Sequence, residues 1–164
     1  MSATVTRDTI FSASVAGLVW RADHAWSMAA EETKAFGFVV PLTEIVALAR
    51  EYFTNSTGIK VDLYQASFTG GEAMTTVPRR LKYRGRPVPV QFYSGVTPGP
   101  LTDRITGFQA ASTNSVRVGL RGDLQPFVHD SLTSYVIVIT NTGVGSQLFS
   151  FAVDFRLMFP GEDE

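Results

Sequence analysis

The residues that could do chemistry are few. His24 follows Asp23, and His129 precedes Asp130 with Ser131 and Ser134 close behind, so a Ser-His-Asp site would have to be built from these. Such a site needs an imidazole held between nucleophile and carboxylate. Neighbours on an extended strand point to opposite faces, which makes His129 and Asp130 a poor orienting pair. There is no Gly-x-Ser-x-Gly elbow, P-loop or Gly-x-Gly-x-x-Gly turn. With two histidines, no cysteine and no Asp-x-Asp-x-Asp-Gly loop, thiolate chemistry is excluded and a metal site has little to draw on. The expectation is a protein that is not an enzyme and carries no cofactor or metal.

Two other groupings carry chemistry of recognition. Arg79, Arg80, Lys82, Arg84 and Arg86 crowd a short segment around Tyr83. Guanidinium groups suit phosphate, so this stretch is a candidate contact for nucleic acid or a neighbouring subunit; a solvated loop is the plain alternative. Arg121, Gly122 and Asp123 form an Arg-Gly-Asp tripeptide, a receptor-loop candidate, although Gly122 also makes an ordinary turn. Asn55-Ser56-Thr57 fits the glycosylation acceptor pattern but reads as a loop, because the first ten residues lack the order of a secretory signal.

These groups sit in a chain of 164 residues with 45% hydrophobic and 18% charged residues and a net charge of −1. A single domain of this size buries roughly 68–70% of the surface its unfolded chain exposes. The near-zero charge supplies no global field for nucleic acid. No apolar run reaches the roughly 18 residues of a membrane span, so no membrane insertion is expected. Twelve phenylalanines, five tyrosines and two tryptophans either fill the interior or anchor subunit flanks.

The elements that must position these residues are mostly strands. Ile59, Val61 and Leu63 alternate with polar neighbours, as do Val88, Val90 and Phe92, and Val116, Val118 and Leu120. Pro89 places its stretch at a sheet edge. Tyr135–Thr140 is apolar on both faces and reads as a central strand. In Leu148–Met158, Phe149, Phe151, Val153, Phe155 and Leu157 share one face. One segment reads as a helix: from about 41 to 53, Ile45, Leu48, Ala49 and Tyr52 fall on one stripe, closed by Gly58. The weaker helical stretch Ser27–Lys34 is short enough to be a single turn. Short strands without strand–helix alternation predict an antiparallel sandwich or barrel.

Phe38–Thr69, with Pro41, Leu42, Ile45, Ala49, Tyr52, Gly58, Ile59, Val61 and Leu63 at its key positions, resembles a segment of picornavirus-like capsid proteins of small icosahedral RNA viruses. Ser134–Pro160 is similar to the last two sandwich strands of that family. The chain departs from the family in having neither Trp-Arg-Gly after the helix nor Asp-Asp-Phe before the last strand, and it has no basic N-terminal arm. The resemblance implies an all-β, eight-stranded antiparallel jelly roll spanning 1–164 as one domain, with the short helix at about 41–53. It further implies a structural subunit that assembles with copies of itself or related subunits into an icosahedral shell around viral RNA. Its expected location is the virion, and the host cytoplasm during assembly, with a host receptor as a further partner. The alternative from the residues is an oligomeric β-sandwich binding module, lectin-like or receptor-binding, that uses its loops.

Overall fold

A computed structural model describes residues 19–41, 45–54, 58–80, 82, 85–111, 116–119 and 127–157. They form two facing antiparallel sheets. The first places β1 (Val19–Met28) beside β14 (Gln147–Leu157), then β3 (Ile45–Thr54), then β11 (Val116–Gly119) and β12 (Phe127–His129), with β7 (Thr75–Pro78) on the outer side of β1. The second runs β10 (Arg104–Ala111), β4 (Gly58–Gln65), β13 (Ser134–Asn141), β2 (Thr33–Val39), β8 (Phe92–Ser94) and β6 (Glu72–Ala73). The pairing is nested: β1 with β14, β2 with β13, β3 with β11 and β12, β4 with β10. The chain is thus one long antiparallel hairpin rolled into two layers: the antiparallel sandwich that the strand patterns predict, with the jelly-roll topology that the family resemblance implies.

The alternating strands behave as their patterns require. Phe149, Phe151, Val153 and Phe155 of β14 face inward with Trp20, Ala22, Phe36, Phe38, Ile59, Val61, Leu63, Tyr135, Ile137 and Ile139 in one core. Stacked and tilted ring pairs run through it, including Phe38–Phe92 at 4.5 Å and Phe36–Phe151 at 5.1 Å. Of the two roles open to the aromatic residues, the described phenylalanines therefore take chiefly the interior one. β13 is apolar on both faces because its outer face is also covered. The hairpin of β5 (Phe68–Thr69) and β9 (Thr97–Pro98) lies over the second sheet, and Ala35, Val96 and Val136 form a second small core with Ala66, Phe68 and Tyr93. Gly37 permits this, since a Cβ there would stand 2.7 Å from the Phe68 ring.

The helix expected at about 41–53 is not formed; its described part is β3. β3 is paired on both sides, with β14 and with β11 and β12, so its backbone groups are satisfied by the sheet. Its β-branched and aromatic residues, Ile45, Val46, Tyr52 and Phe53, also suit a strand. The register explains the misleading pattern. Asp154 pairs with Ala49 and Phe155 with Ala47, leaving Leu48 as an extra residue in a bulge. A bulge interrupts the two-residue period, so apolar spacing across it mimics helical spacing. Ser27–Lys34 is the end of β1, a turn at Ala29–Glu32 and the start of β2, where Glu32 also accepts the Ala29 N–H at 2.6 Å. Val88–Val90 stands outside regular strand; only Phe92–Ser94 pairs, between β2 and β6.

One buried polar residue ties two turns. Asn141 is fully buried, and its Nδ2 donates to the carbonyls of Met28, Ala29 and Gly145 at 3.0–3.2 Å while its Oδ1 accepts from Gly143 N at 2.9 Å. The β1–β2 and β13–β14 turns are thereby fixed at one end of the sandwich.

Candidate functional site

His129 ends β12 and is buried, with its ring edge-on to Phe38 at 5.1 Å and Tyr135 at 4.6 Å. Asp130 is exposed, and its backbone N–H donates to the Tyr135 hydroxyl at 3.0 Å. The structure thus sets His129 into aromatic packing and turns the Asp130 backbone, not its carboxylate, toward the neighbouring Tyr135. Ser134 begins β13 opposite Val39, and Ser131 lies in the preceding turn. Among the described residues no group of three histidine, aspartate or glutamate side chains converges as a metal site, and no helix is long and apolar enough to cross a membrane.

His24 stands in a different setting. It projects between the sheets from β1, and its ring stacks on Trp26 at 5.7 Å. The Lys34 ammonium from β2 lies 3.2 Å from His24 Nε2 and 5.6 Å from the centre of the Trp26 ring. Lysine has no acceptor, so His24 Nε2 accepts this bond and is unprotonated. Burial, and then the adjacent Lys34 ammonium, hold the imidazole below its ordinary value, while Glu72 and Asp23 act in the opposite direction. Phe36 and Phe149 complete the surround of Trp26 at 5.0 and 5.9 Å. The Trp26 indole N–H is buried and, among the described residues, has no hydrogen-bond partner. Nothing in the sequence joins His24 to Lys34; they meet because the chain crosses from one sheet to the other between them.

The cationic segment follows β7. Arg79 donates its backbone N–H to Val19 O at 2.8 Å, and its guanidinium is 3.8 Å from Asp154, which also binds Arg21 at 3.2 Å. This carboxylate between two guanidiniums fastens the segment to the outer face of the first sheet. Arg80 is half-buried, and Lys82 and Arg86 are exposed. Arg84 lies outside the described residues, as do Arg121, Gly122, Asp123 and the tripeptide Asn55-Ser56-Thr57.

The sequence reading missed a surface feature. Val144 is 86% exposed and Leu148 61% exposed at the turn from β13 to β14. At the other end of β13, Leu132 is 71% exposed in the turn before it and Val39 50% exposed beside Ser134. Eight residues of extended strand separate the two turns, a span of about 25 Å. The only sign in the sequence was an apolar residue inside a glycine turn, Gly143-Val144-Gly145.

No protein-family model matches the chain, and no curated protein does. Solved structures that resemble it include PirA (10% identity, covering 83% of this chain and 93% of that one, TM-score 0.34). They also include viral capsid proteins. A mutant VP2 of infectious bursal disease virus, from derived T=1 particles, is 12% identical over 87% of this chain and 40% of its own, with a TM-score of 0.22. The decameric BFDV capsid protein is 9% identical over 85% of this chain and 98% of its own, with a TM-score of 0.24. These likenesses do not bear on activity. The architecture rests on the strand order of this chain.

Proposed function

We propose that the chain is a structural subunit, 1–164 acting as one jelly-roll domain, that assembles with copies of itself or related subunits into an icosahedral shell around viral RNA. The observation that carries this reading is the pair of exposed aliphatic patches at opposite ends of β13, Val144 with Leu148 and Leu132 with Val39. A monomer gains nothing from two such patches, whereas head-to-tail contacts between different patches generate closed rings when the rotation is right. Burying them against neighbours is the driving force of assembly. In this reading Arg79, Arg80, Lys82, Arg84 and Arg86 contact RNA or an adjoining subunit, and Arg121, Gly122 and Asp123 face a receptor. The protein then resides in the virion, and in the host cytoplasm during assembly.

Negative-stain electron microscopy of the purified chain, with and without added single-stranded RNA, tests this. Uniform closed particles that protect RNA from nuclease support it. Discrete dimers or trimers that bind no RNA refute it and favour the binding-module alternative.

A further inference from the structure

We propose that the two ends of the sandwich are opposite halves of one contact between copies, in which the cationic segment of one chain seats on the turn carrying Glu31 and Glu32 of the next. This rests on the assembly reading, and it makes an adjoining subunit, rather than RNA, the partner of that segment. Strand register sets the geometry. Pro78 pairs with Trp20 and Phe92 with Phe38, so the connection between β7 and β8 crosses from the first sheet to the second where β1 begins and β2 finishes. Val39 and Leu132 stand at that same end, and Leu132 N–H bonds Val40 O at 3.0 Å. At the other end the turns at 29–32 and 142–146 lie side by side. Glu31 N–H bonds Asn141 O at 2.8 Å, and Asn141 Nδ2 holds Ala29 O and Gly145 O.

The two ends complement each other in charge as well as in apolar surface. Lys82 and Arg86 are exposed at the first end with Val88, and Glu31 and Glu32 at the second with Val144 and Leu148. Among the described residues the Glu31 carboxylate makes no ion pair, and Lys60, on β4, is already paired with Asp62 at 3.6 Å. The exposed acids at the first end stand away from the cationic segment: Asp103 leads into β10 and Asp130 follows β12, each strand four places along its sheet from β8 or β7. Each end also presents one exposed non-glycine residue in left-handed backbone, Glu31 (φ 62°) and Leu132 (φ 55°), a conformation held at a cost. Exposed charges of this kind decide which ends meet, and burial of the aliphatic residues supplies the attraction.

Two charge-reversed chains test the contact by sedimentation velocity, without RNA and at low ionic strength. One carries Glu31→Lys, which leaves the Glu32 bond to Ala29 N–H in place. The other carries Lys82→Glu with Arg86→Glu. Each alone is expected to need about tenfold more protein than the parent to assemble, because like charges then meet at every contact. An equimolar mixture is expected to assemble within about twofold of the parent, since each basic end then has an acidic one to meet. A parent that assembles while both reversed chains do so equally well overturns the proposal and leaves the assembly reading standing. So do reversed chains that fail alone and are not rescued by mixing, or a Lys82→Glu/Arg86→Glu chain that assembles normally and loses only its binding to single-stranded RNA. A parent that stays monomeric at every concentration defeats both.

Discussion

His24 and Asn141 are polar side chains whose behaviour follows from their immediate neighbours. The imidazole is neutral in the folded protein because burial and Lys34 oppose its charge, so its folded pKa lies below the unfolded value of about 6.5. The stability linked to it is complete above that unfolded value and is lost as pH falls toward the folded one, because the unfolded chain then binds the extra proton. Urea unfolding of the parent should therefore weaken between pH 7.5 and pH 5 more than that of His24→Gln; equal losses would contradict the assignment. Asn141 is the opposite case, a buried amide with its bonds made on four sides. Asn141→Ala removes a donor from three carbonyls, of which Ala29 O keeps the Glu32 N–H, and an acceptor from the Gly143 N–H, and should cost about 3 kcal/mol in chemical denaturation. Neither role was legible in the sequence. Asn141 reads as a turn residue, and His24 gives no sign of a partner ten residues away on the other sheet.

At the scale of elements, what could be read depended on how regular each strand is. β4 and β14 keep a two-residue apolar period because each is paired on both sides and packs one face on the core, and β13 is apolar on both faces because both are covered, so these patterns survive in the sequence. β3 was misread because Leu48 breaks that period, and only pairing to β14 and β11 shows which backbone state prevails. Amide exchange tests this: the β3 amides should exchange as slowly as those of β14, whereas a helix packed outside the sheets would leave the β14 edge open. The hairpin covering the second sheet depends on the missing side chain at residue 37. Gly37→Val would drive a branched side chain into Phe68, so it should lower stability by about 2 kcal/mol and make 66–99 an early site of limited proteolysis. An unchanged proteolytic pattern would show that Phe68 does not hold that hairpin down.

For the whole molecule, the jelly roll was legible and its sticky ends were not. Strand alternation reports which residues point inward, but it says nothing of apolar residues left in turns, and Val144 and Leu132 are of that kind. Composition left open whether the aromatic residues fill the interior or anchor flanks, whereas the exposed large hydrophobic residues of the described part are aliphatic, and the most exposed of them, Val144, Leu132 and Leu148, sit at or beside turns. In the proposed assembly those tips are buried against neighbours, so Val144→Asp and Leu132→Asp should each leave the fold intact and reduce the assembled fraction about tenfold or more. Sedimentation velocity of the purified chain across a range of concentrations tests the central claim most directly. A concentration-dependent shift from free subunit to a single megadalton boundary, abolished by either aspartate, is the predicted result. A boundary that stays at the 17.9 kDa monomer at every concentration, with and without RNA, would contradict it.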